Sequence, residues 1–440
     1  MRQIWGKAMA IFLIVTGVLA MTINSWNASA FGLQNATVAA LVERGTFALV
    51  DQVIPGFNLV EGTETFKFGK EVYPMKQPGP TILGAMVYYP LYKLGINYRN
   101  HFDYVSHLVT FGTSTIMMAI AAVLIFILGF AMTKAWKSAA AAALLFPLGT
   151  MIWPYAGVSH HDIYGIFFGL LSLTAYYFGE REKKLKYLGW AGFFATLTLF
   201  FTMLPLTLPL VLWILTAIEN DRKKIIFLTL GMISGFVPTM IFNGLLFGNP
   251  LLPPNLAGKV SDTMPLLSLP NFLTKLWFYL VSPTTAMIFF SPVMFYGITG
   301  IMSIPKKDIW LKRLFIGLPV MQLIHISSMG TFGGYQYGPR YLLPILGCLA
   351  LGLAMWLKEI HTRKVWVLFF LAAVYSVLVA LLGAIQTVMY PIPGPFAPLV
   401  FVKQVMAGNL PVFRMWPVGV ILTIGGLILF YQQAQKSNNK

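Results

Sequence analysis

Long stretches of this 440-residue chain contain no Asp, Glu, Lys or Arg. A helix that spans a bilayer needs about 20 predominantly apolar residues, and most of these stretches are that long or longer. Only 10% of the residues are charged, against roughly 25% in a typical soluble domain. The sequence therefore predicts an all-α, polytopic membrane protein. The uncharged stretches include 104–133, 138–161, 187–218, 225–258, 276–305, 314–339 and 365–402.

The net charge of +17 has an explanation other than nucleic-acid binding. Lys and Arg occur in short clusters between the apolar stretches, and such clusters orient membrane proteins because positively charged loops stay in the cytoplasm. We therefore expect the chain to contact membrane lipids and no nucleic acid. Its single cysteine, Cys348, excludes an internal disulfide and a cysteine-ligated metal cluster.

Twelve membrane-spanning helices in a single domain over 1–440 best satisfy this charge pattern. Both termini are then cytoplasmic, and most of the 31 Lys and Arg residues fall in the termini and in five short inner loops. The stretch 187–218 is divided into two helices near Pro205, because a single crossing there would invert every later loop. The predicted spans are 8–25, 106–132, 138–157, 161–178, 187–203, 204–218, 225–246, 284–304, 312–330, 341–357, 365–386 and 416–434.

The predicted outer face carries the long connections. Its first loop covers 26–104, and two more cover about 247–283 and 387–415. More than half of the 14 acidic residues fall on this side. Functional residues concentrate on such loops, so we expect the active site to face outward from a plasma membrane and to include the 26–104 loop. Within that loop, 81–92 is too short to span and predicts a helix lying at the interface.

The first outer loop contains three candidate functional residues. Lys76 precedes a Pro-Gly-Pro turn and is suited to hold a lipid phosphate as a point charge, although a solvated loop lysine fits the same sequence. Asp51 and Glu43 are candidate general bases, because a carboxylate can take the proton of an acceptor hydroxyl. The alternative for both is an ordinary surface carboxylate, and Glu43 also fits the end of a helix over 30–44.

A second candidate segment joins the third and fourth predicted spans. His160, His161 and Asp162 are consecutive there, and imidazole with carboxylate binds a divalent metal or positions an acceptor. No cofactor is certain from this pattern, and a divalent metal is one candidate. A helix N-terminal cap by Ser159 or Asp162 explains the same residues equally well.

A third candidate segment precedes the tenth predicted span. Arg340 is the only charged residue between Arg313 and Lys358, at the outer boundary of the membrane. An arginine at that depth needs a partner, and phosphate is a suitable one. The alternative is a side chain that extends to the interface or pairs with a loop carboxylate. We place the nearby Tyr337 with the histidine pair, in the vicinity of the acceptor or a metal.

Taken together, these segments resemble the integral-membrane glycosyltransferases of the C superfamily, in particular the phospholipid-carrier-dependent and dolichyl-phosphate-mannose types. Each matching segment alone is weak evidence for the family, but six such segments occur in the family's order over about 40–344. The matching pieces are ALVERGTFALVD (40–51), GKEVYPMKQPGP (69–80), WPYAGVSHH (153–161), FNGLLFGNP (242–250), FFSPVM (289–294) and GYQYGPRYLLP (334–344).

The resemblance implies a role for several of these residues. Lys76 occupies the Lys-x-Pro position expected near the donor phosphate, and Arg340 matches the arginine of the Gly-Pro-Arg-Tyr pattern, which we assign to the same phosphate. Better-known members carry an acid soon after the first helix, whereas 24–35 of this chain contains none. Asp51 is therefore the candidate base, with Glu43 in reserve.

The expected function is transfer of a sugar from a polyprenyl- or dolichyl-phosphate carrier to a lipid, glycan or protein acceptor, with inversion. Two alternatives from other classes remain. One is a transporter or flippase for a lipid-linked substrate, which the lack of charge at mid-membrane disfavours. The other is a catalytically silent scaffold of the same fold, which the missing acid after the first helix favours.

Overall fold

The computed structural model describes residues 2–24, 29–49, 65–251, 271–333, 336–391 and 394–438. The chain is predominantly helical, as the sequence predicts. Within these residues, five helices are long and apolar enough to cross a membrane: Tyr98–Thr133, Arg222–Phe247, Lys306–Ser328, Arg363–Ile385 and Trp416–Lys436. These helices support an integral membrane protein, while the count of twelve spans and the assignment of the two faces stay predictions.

The helices follow the predicted order along the chain. Each of the twelve predicted spans contains helix, and the predicted break near Pro205 is present between α9 and α10. The helices are α1 (Arg2–Ala20), α2 (Ser29–Arg44), α3 (Pro78–Lys93), α4 (Tyr98–Thr110), α5 (Ile116–Thr133), α6 (Trp136–Leu148), α7 (Ile152–Ala156), α8 (His161–Glu182), α9 (Leu185–Phe201), α10 (Thr207–Ile218), α11 (Arg222–Phe247), α12 (Phe272–Leu280), α13 (Met287–Phe290), α14 (Tyr296–Met302), α15 (Ile309–Ser328), α16 (Leu346–Trp356), α17 (Arg363–Ile385), α18 (Ala397–Met406) and α19 (Trp416–Asn438).

Shorter helical turns join some of these helices. A π-helical turn, Phe111–Thr115, connects α4 to α5. Three 3-10 turns, Pro292–Phe295, Lys306–Asp308 and Arg340–Ile345, precede α14, α15 and α16. Helices α2 and α3 cover the residues of the helices expected over 30–44 and 81–92, while their place in an outer loop and at the membrane interface stays a prediction.

The residue contacts divide the chain into two compact units, each assembled from separate stretches of chain. The first unit comprises Met1–Thr22, Met117–Tyr155 and Ser268–Lys440. The second unit comprises Ile23–Ile116 and Ala156–Leu267, and so contains the whole described part of the predicted first outer loop. The expectation of a single membrane domain over 1–440 stays a prediction.

The second unit contains a β-hairpin that the sequence analysis did not predict. Its strands, β1 (Thr65–Phe68) and β2 (Glu71–Pro74), pair antiparallel with Phe68 opposite Glu71. The two-residue connection begins with Gly69, whose φ of 64° is easily reached only by glycine. The hairpin ends two residues before Lys76 and therefore limits where that lysine can lie.

Glycines allow α9 and α11 of the second unit to pack with their backbones in contact. A Cβ atom on Gly231 would overlap the carbonyl oxygen of Gly189, and one on Gly235 would overlap that of Phe193. Small residues at helix contacts are the usual means by which membrane helices approach closely. In the first unit, Gly300 and Gly352 bring α14 against α16 in the same way.

We expect Gly231→Ala to lower the stability of the protein by about 1–3 kcal/mol, because the new methyl group overlaps a backbone oxygen that cannot move freely. The matched control is Gly425→Ala on α19, where the added Cβ meets no described atom within 4 Å. Alanine is a better helix former than glycine, so this control should leave stability unchanged or raise it slightly. Thermal unfolding midpoints in detergent measure both, and equal midpoints would contradict the close packing.

Candidate functional site

Three segments of the second unit that carry the family resemblance contact one another through aromatic rings. Phe47, from the first segment, packs edge-on against Phe242 with ring centroids 5.0 Å apart. Phe247, from the fourth, contacts Tyr73 of the hairpin at 5.6 Å and Phe68 at 5.2 Å. The end of α11 thus holds the hairpin, and the hairpin leads directly to Lys76.

The turn that carries Lys76 packs on the end of α9. Helix α3 begins with Pro78-Gly79-Pro80, and prolines are well tolerated in a first helical turn because the N–H they lack has no helical partner there. A Cβ on Gly79 would collide with the ring of Phe201 and the carbonyl oxygen of Phe200. Lys76 is half-buried and lies three residues before Gly79, so it is within roughly 11 Å of that contact.

Thr202, the residue that follows α9, connects this contact to the histidine cluster. Its backbone is extended, with φ −161° and ψ 146°, because the helix ends there. Its hydroxyl donates a 2.9 Å hydrogen bond to Oδ1 of Asp162. A series of contacts, from Gly79 to Phe201 and from Thr202 to Asp162, therefore joins the lysine turn to the cluster within the second unit.

The three consecutive residues His160, His161 and Asp162 form a compact, buried cluster at the start of α8. Nδ1 of His160 lies 3.5 Å from Oδ2 of Asp162, and Nε2 of His161 lies 3.4 Å from Oδ1. The two imidazole rings stack with centroids 4.3 Å apart. The side chains of His160 and Asp162 are 0% and 2% exposed, whereas that of His161 is 11% exposed, so His161 is the most accessible of the three.

A helix N-terminal cap is present here, as the alternative predicts, but a different residue provides it. His160 is the N-cap of α8, where the sequence suggests Ser159 or Asp162, and its Nδ1 accepts a hydrogen bond from the backbone N–H of Asp162 at 3.2 Å. A cap ordinarily uses a small Ser, Thr, Asp or Asn side chain. Capping by an imidazole fixes the His160 ring beside the carboxylate. His160 therefore caps the helix and belongs to the cluster in the same conformation.

The π-helical turn holds the segment that leads into the cluster. Extra residues in a π-turn change the direction of the side chains, and such turns are frequent at functional sites. The hydroxyl of Ser114 lies 3.1 Å from the carbonyl oxygen of Val158, and that of Thr115 lies 3.1 Å from the carbonyl oxygen of Ala156. Both hydroxyls are fully buried. They donate to the carbonyl of Ala156, which ends α7, and to that of Val158 in the irregular segment that follows.

The cluster has the chemical composition of a divalent-metal site. Two imidazoles and one carboxylate are common ligands of zinc and similar ions, and one potential ligand atom from each residue lies within 4.8 Å of the others. Thr202 is hydrogen-bonded to the carboxylate, as second-layer residues commonly are around metal ligands. The same groups also suit a hydrogen-bonding site for a sugar or an acceptor hydroxyl.

Glu43 belongs to a separate polar network of the second unit. It accepts a hydrogen bond from the hydroxyl of Tyr88, and that hydroxyl in turn accepts one from the backbone N–H of Tyr98. The Tyr98 hydroxyl donates to Asn35 at 2.9 Å. Burial and the hydrogen bond to Glu43 raise the pKa of Tyr88. Glu43 therefore has a structural role at the contact of α2 with α3.

Arg340 and Tyr337 lie in the first unit. The Arg340 side chain is 8% exposed, donates to the carbonyl oxygen of Gly333 at 3.0 Å and lies over the ring of Tyr341. The hydroxyl of Tyr337 donates to the carbonyl oxygen of Val379.

The remaining two resemblance segments meet in that same unit. The ring of Tyr337 packs edge-on against Phe290 of FFSPVM at 5.1 Å. Five of the six segments therefore lie within a single unit, three in the second and two in the first, while WPYAGVSHH is divided between the units at Tyr155 and Ala156.

Of the predicted site residues, the second unit brings Lys76 into the neighbourhood of the His160–Asp162 cluster, while the first unit holds Arg340 and Tyr337. Asp51 lies outside the described residues. Sequence reasoning missed Thr202, Ser114 and Thr115, because a hydroxyl in an apolar run has no distinctive pattern until its partner is known. The helix break at Pro205 was the one available signal, since it predicts that Thr202 is near a helix end.

Comparison with known proteins gives similarity to solved structures alone. No protein-family model and no curated protein matches this sequence. Among solved structures, the chain is similar to ArnT from Cupriavidus metallidurans bound to undecaprenyl phosphate. The TM-score is 0.48 and the sequence identity 13%, over 97% of this chain and 77% of that one. A similarity at this level does not identify a ligand or a reaction for this chain.

We expect the double variant Ser114→Ala, Thr115→Val to lower stability by about 1–3 kcal/mol, because two buried carbonyls lose their hydroxyl donors. Hydrogen exchange in 156–163 should rise by more than in the remainder of α8. The control is Ser234→Ala, Thr423→Val, whose hydroxyls donate only to carbonyls of their own helices. Equal exchange in the two double variants would show that the π-turn does not hold the cluster.

Proposed function

We propose that this protein is a membrane glycosyltransferase that moves a sugar from a polyprenyl-phosphate carrier to an acceptor hydroxyl. The observation that carries the proposal is the path from the Lys76 turn through Gly79, Phe201 and Thr202 to the buried His160–Asp162 cluster. A cation and a polar, largely buried cluster are the two kinds of group that such a transfer requires. The ordered sequence resemblance to lipid-carrier-dependent glycosyltransferases supports the same reaction.

The proposed reaction is a direct displacement at the anomeric carbon. The acceptor oxygen bonds to that carbon as the bond from the carbon to the phosphate oxygen breaks, which inverts its configuration. The acceptor proton passes to a carboxylate, and the carrier leaves as polyprenyl phosphate. We assign proton removal to Asp51, with Glu43 in reserve, and stabilisation of the departing phosphate to Lys76 and Arg340.

We assign the acceptor side to the cluster. His161 is the partly exposed member, so it is the one able to hydrogen-bond an arriving hydroxyl, while His160 and Asp162 fix its position. If a divalent ion binds, His160, His161 and Asp162 would hold it, and it would supply positive charge that orients the acceptor oxygen. Tyr337 is assigned to the same vicinity by sequence alone.

Replacing Lys76 with alanine should reduce release of polyprenyl phosphate from a polyprenyl-phosphate sugar at least 30-fold, because the departing phosphate loses a positive charge. The assay incubates the purified protein in nanodiscs with a panel of such sugars and acceptors. Lys93→Ala is the matched control, because Lys93 is an exposed lysine on α3 and should retain full activity. Equal rates for the two variants would remove Lys76 from the donor site.

Asp51→Asn should abolish transfer, by about 100-fold or more, while donor binding stays within twofold, because an amide cannot take the acceptor proton. Glu71→Gln, on the exposed end of β2, is the matched control. Transfer that survives Asp51→Asn but is lost in Glu43→Gln would move the role of base to Glu43. Carrier binding without turnover by the native protein, for any sugar and acceptor, would favour a transporter over an enzyme.

A further inference from the structure

A lysine that the sequence analysis did not select is buried in the first unit. Lys275 lies on α12 and is 0% exposed, and its ammonium has no hydrogen-bond partner among the described residues. Burial lowers the pKa of Lys275. A buried ammonium with no hydrogen-bond acceptor is costly, and proteins retain one chiefly where a partner or a function requires it.

A second polar group on the same helix is in the same situation. Tyr279 follows Lys275 by four residues, so the two side chains lie on one face of α12, one turn apart. Tyr279 is also 0% exposed, and its hydroxyl has no hydrogen-bond partner among the described residues. This face of α12 therefore presents two buried donors that the described protein does not use.

Arg340 belongs to the same neighbourhood. The Lys275 ammonium lies 5.6 Å from the ring centroid of Phe332, and the next residue, Gly333, accepts the hydrogen bond from Arg340. Burial raises the pKa of Tyr279, and the positive charge of Arg340 acts in the opposite direction. The ammonium of Lys275 and the guanidinium of Arg340 thus contact the consecutive residues Phe332 and Gly333, and Tyr279 lies close enough to Arg340 to be affected by its charge.

The first unit, among its described residues, provides no carboxylate partner for the ammonium of Lys275. Its only acidic residues are Asp308 and Glu359. The 20 residues of α15 lie between Asp308 and the Phe332 segment, which corresponds to roughly 30 Å of helix. The 3-10 turn that starts at Arg340 and the whole of α16 precede Glu359, which corresponds to roughly 28 Å.

We propose that Lys275, Tyr279 and Arg340 form a binding site for a phosphate group. Phosphate accepts several charge-assisted hydrogen bonds at once, and an ammonium, a guanidinium and a phenol are suitable donors. The ligand is the phosphate of the polyprenyl carrier, and this part of the inference rests on the proposed function. Lys275 then binds the carrier together with Arg340 from within the first unit.

The sequence contains a signal for this site. Lys275 is the only charged residue between Asp262 and Lys306, just as Arg340 is the only one between Arg313 and Lys358. Each is a single cation between apolar stretches, close to a predicted outer boundary. Because the two lie 65 positions apart, only the fold shows that they share a neighbourhood.

The test is binding of a polyprenyl phosphate to the full-length protein in nanodiscs. Lys275→Met keeps the length of the side chain and removes its charge, and should weaken binding at least tenfold. The unfolding midpoint of the ligand-free variant should stay equal or rise, because an uncompensated buried charge is gone. Lys403→Met, at an exposed lysine on α18, is the matched control and should bind as the native protein does.

Two further ligands separate the sources of phosphate. Inorganic phosphate tests the anion alone, and polyprenol tests the lipid chain alone. Weaker binding of the polyprenyl phosphate by Lys275→Met, with polyprenol binding unchanged, supports the carrier site. If the native protein binds inorganic phosphate as tightly as the polyprenyl phosphate, and Lys275→Met weakens both, the result would support the phosphate site but not a site for the lipid carrier.

The inference would be overturned if Lys275→Met bound all three ligands as the native protein does. A lower unfolding midpoint with unchanged binding would also overturn it, since Lys275 would then be structural. Tyr279→Phe provides a second variant if Lys275→Met fails to fold, and it should weaken phosphate binding several-fold. If binding depends on Lys275 but no sugar is ever transferred, the proposed function fails while the phosphate site stands.

Discussion

The candidate site depends on satisfying the hydrogen bonds of irregular backbone inside an apolar structure. Between α7 and α8 the chain has no regular helical bonds, and unpaired carbonyls are costly where water is excluded. Ser114 and Thr115 provide two further donors because a π-turn directs neighbouring hydroxyls toward one segment. The position of the His160–Asp162 cluster therefore depends in part on a neighbouring helix that departs from regular α-helical geometry.

The two units differ in how they use charge. In the second unit, carboxylates accept hydrogen bonds from hydroxyl groups, as in the contacts of Asp162 with Thr202 and of Glu43 with Tyr88. The first unit brings Lys275 and Arg340 to the one segment Phe332–Gly333, and its only acidic residues in the sequence are Asp308 and Glu359. A mixed polar cluster suits an uncharged acceptor, whereas an excess of buried cations suits an anionic donor.

How much could be predicted from the sequence differed between fold and site. The charge-free stretches predict the positions of the helices, because exclusion of charge from the bilayer acts on every residue of a span. The hairpin at 65–74 was missed because it is short and lies in a polar stretch without a clear alternation. Thr202 and Ser114 could not be selected, since their roles depend on partners 40 or more positions away.

The aromatic contact between Phe247 and the hairpin has a consequence for how this chain can change during evolution. Phe66, Phe68 and Tyr73 all contact the one ring of Phe247, so the end of α11 and the turn before Lys76 form a single packed body. A smaller residue at 247 would leave a void that a larger residue at 66, 68 or 73 can fill. Positions about 175 residues apart are thus expected to vary together in related sequences, as a pair rather than independently.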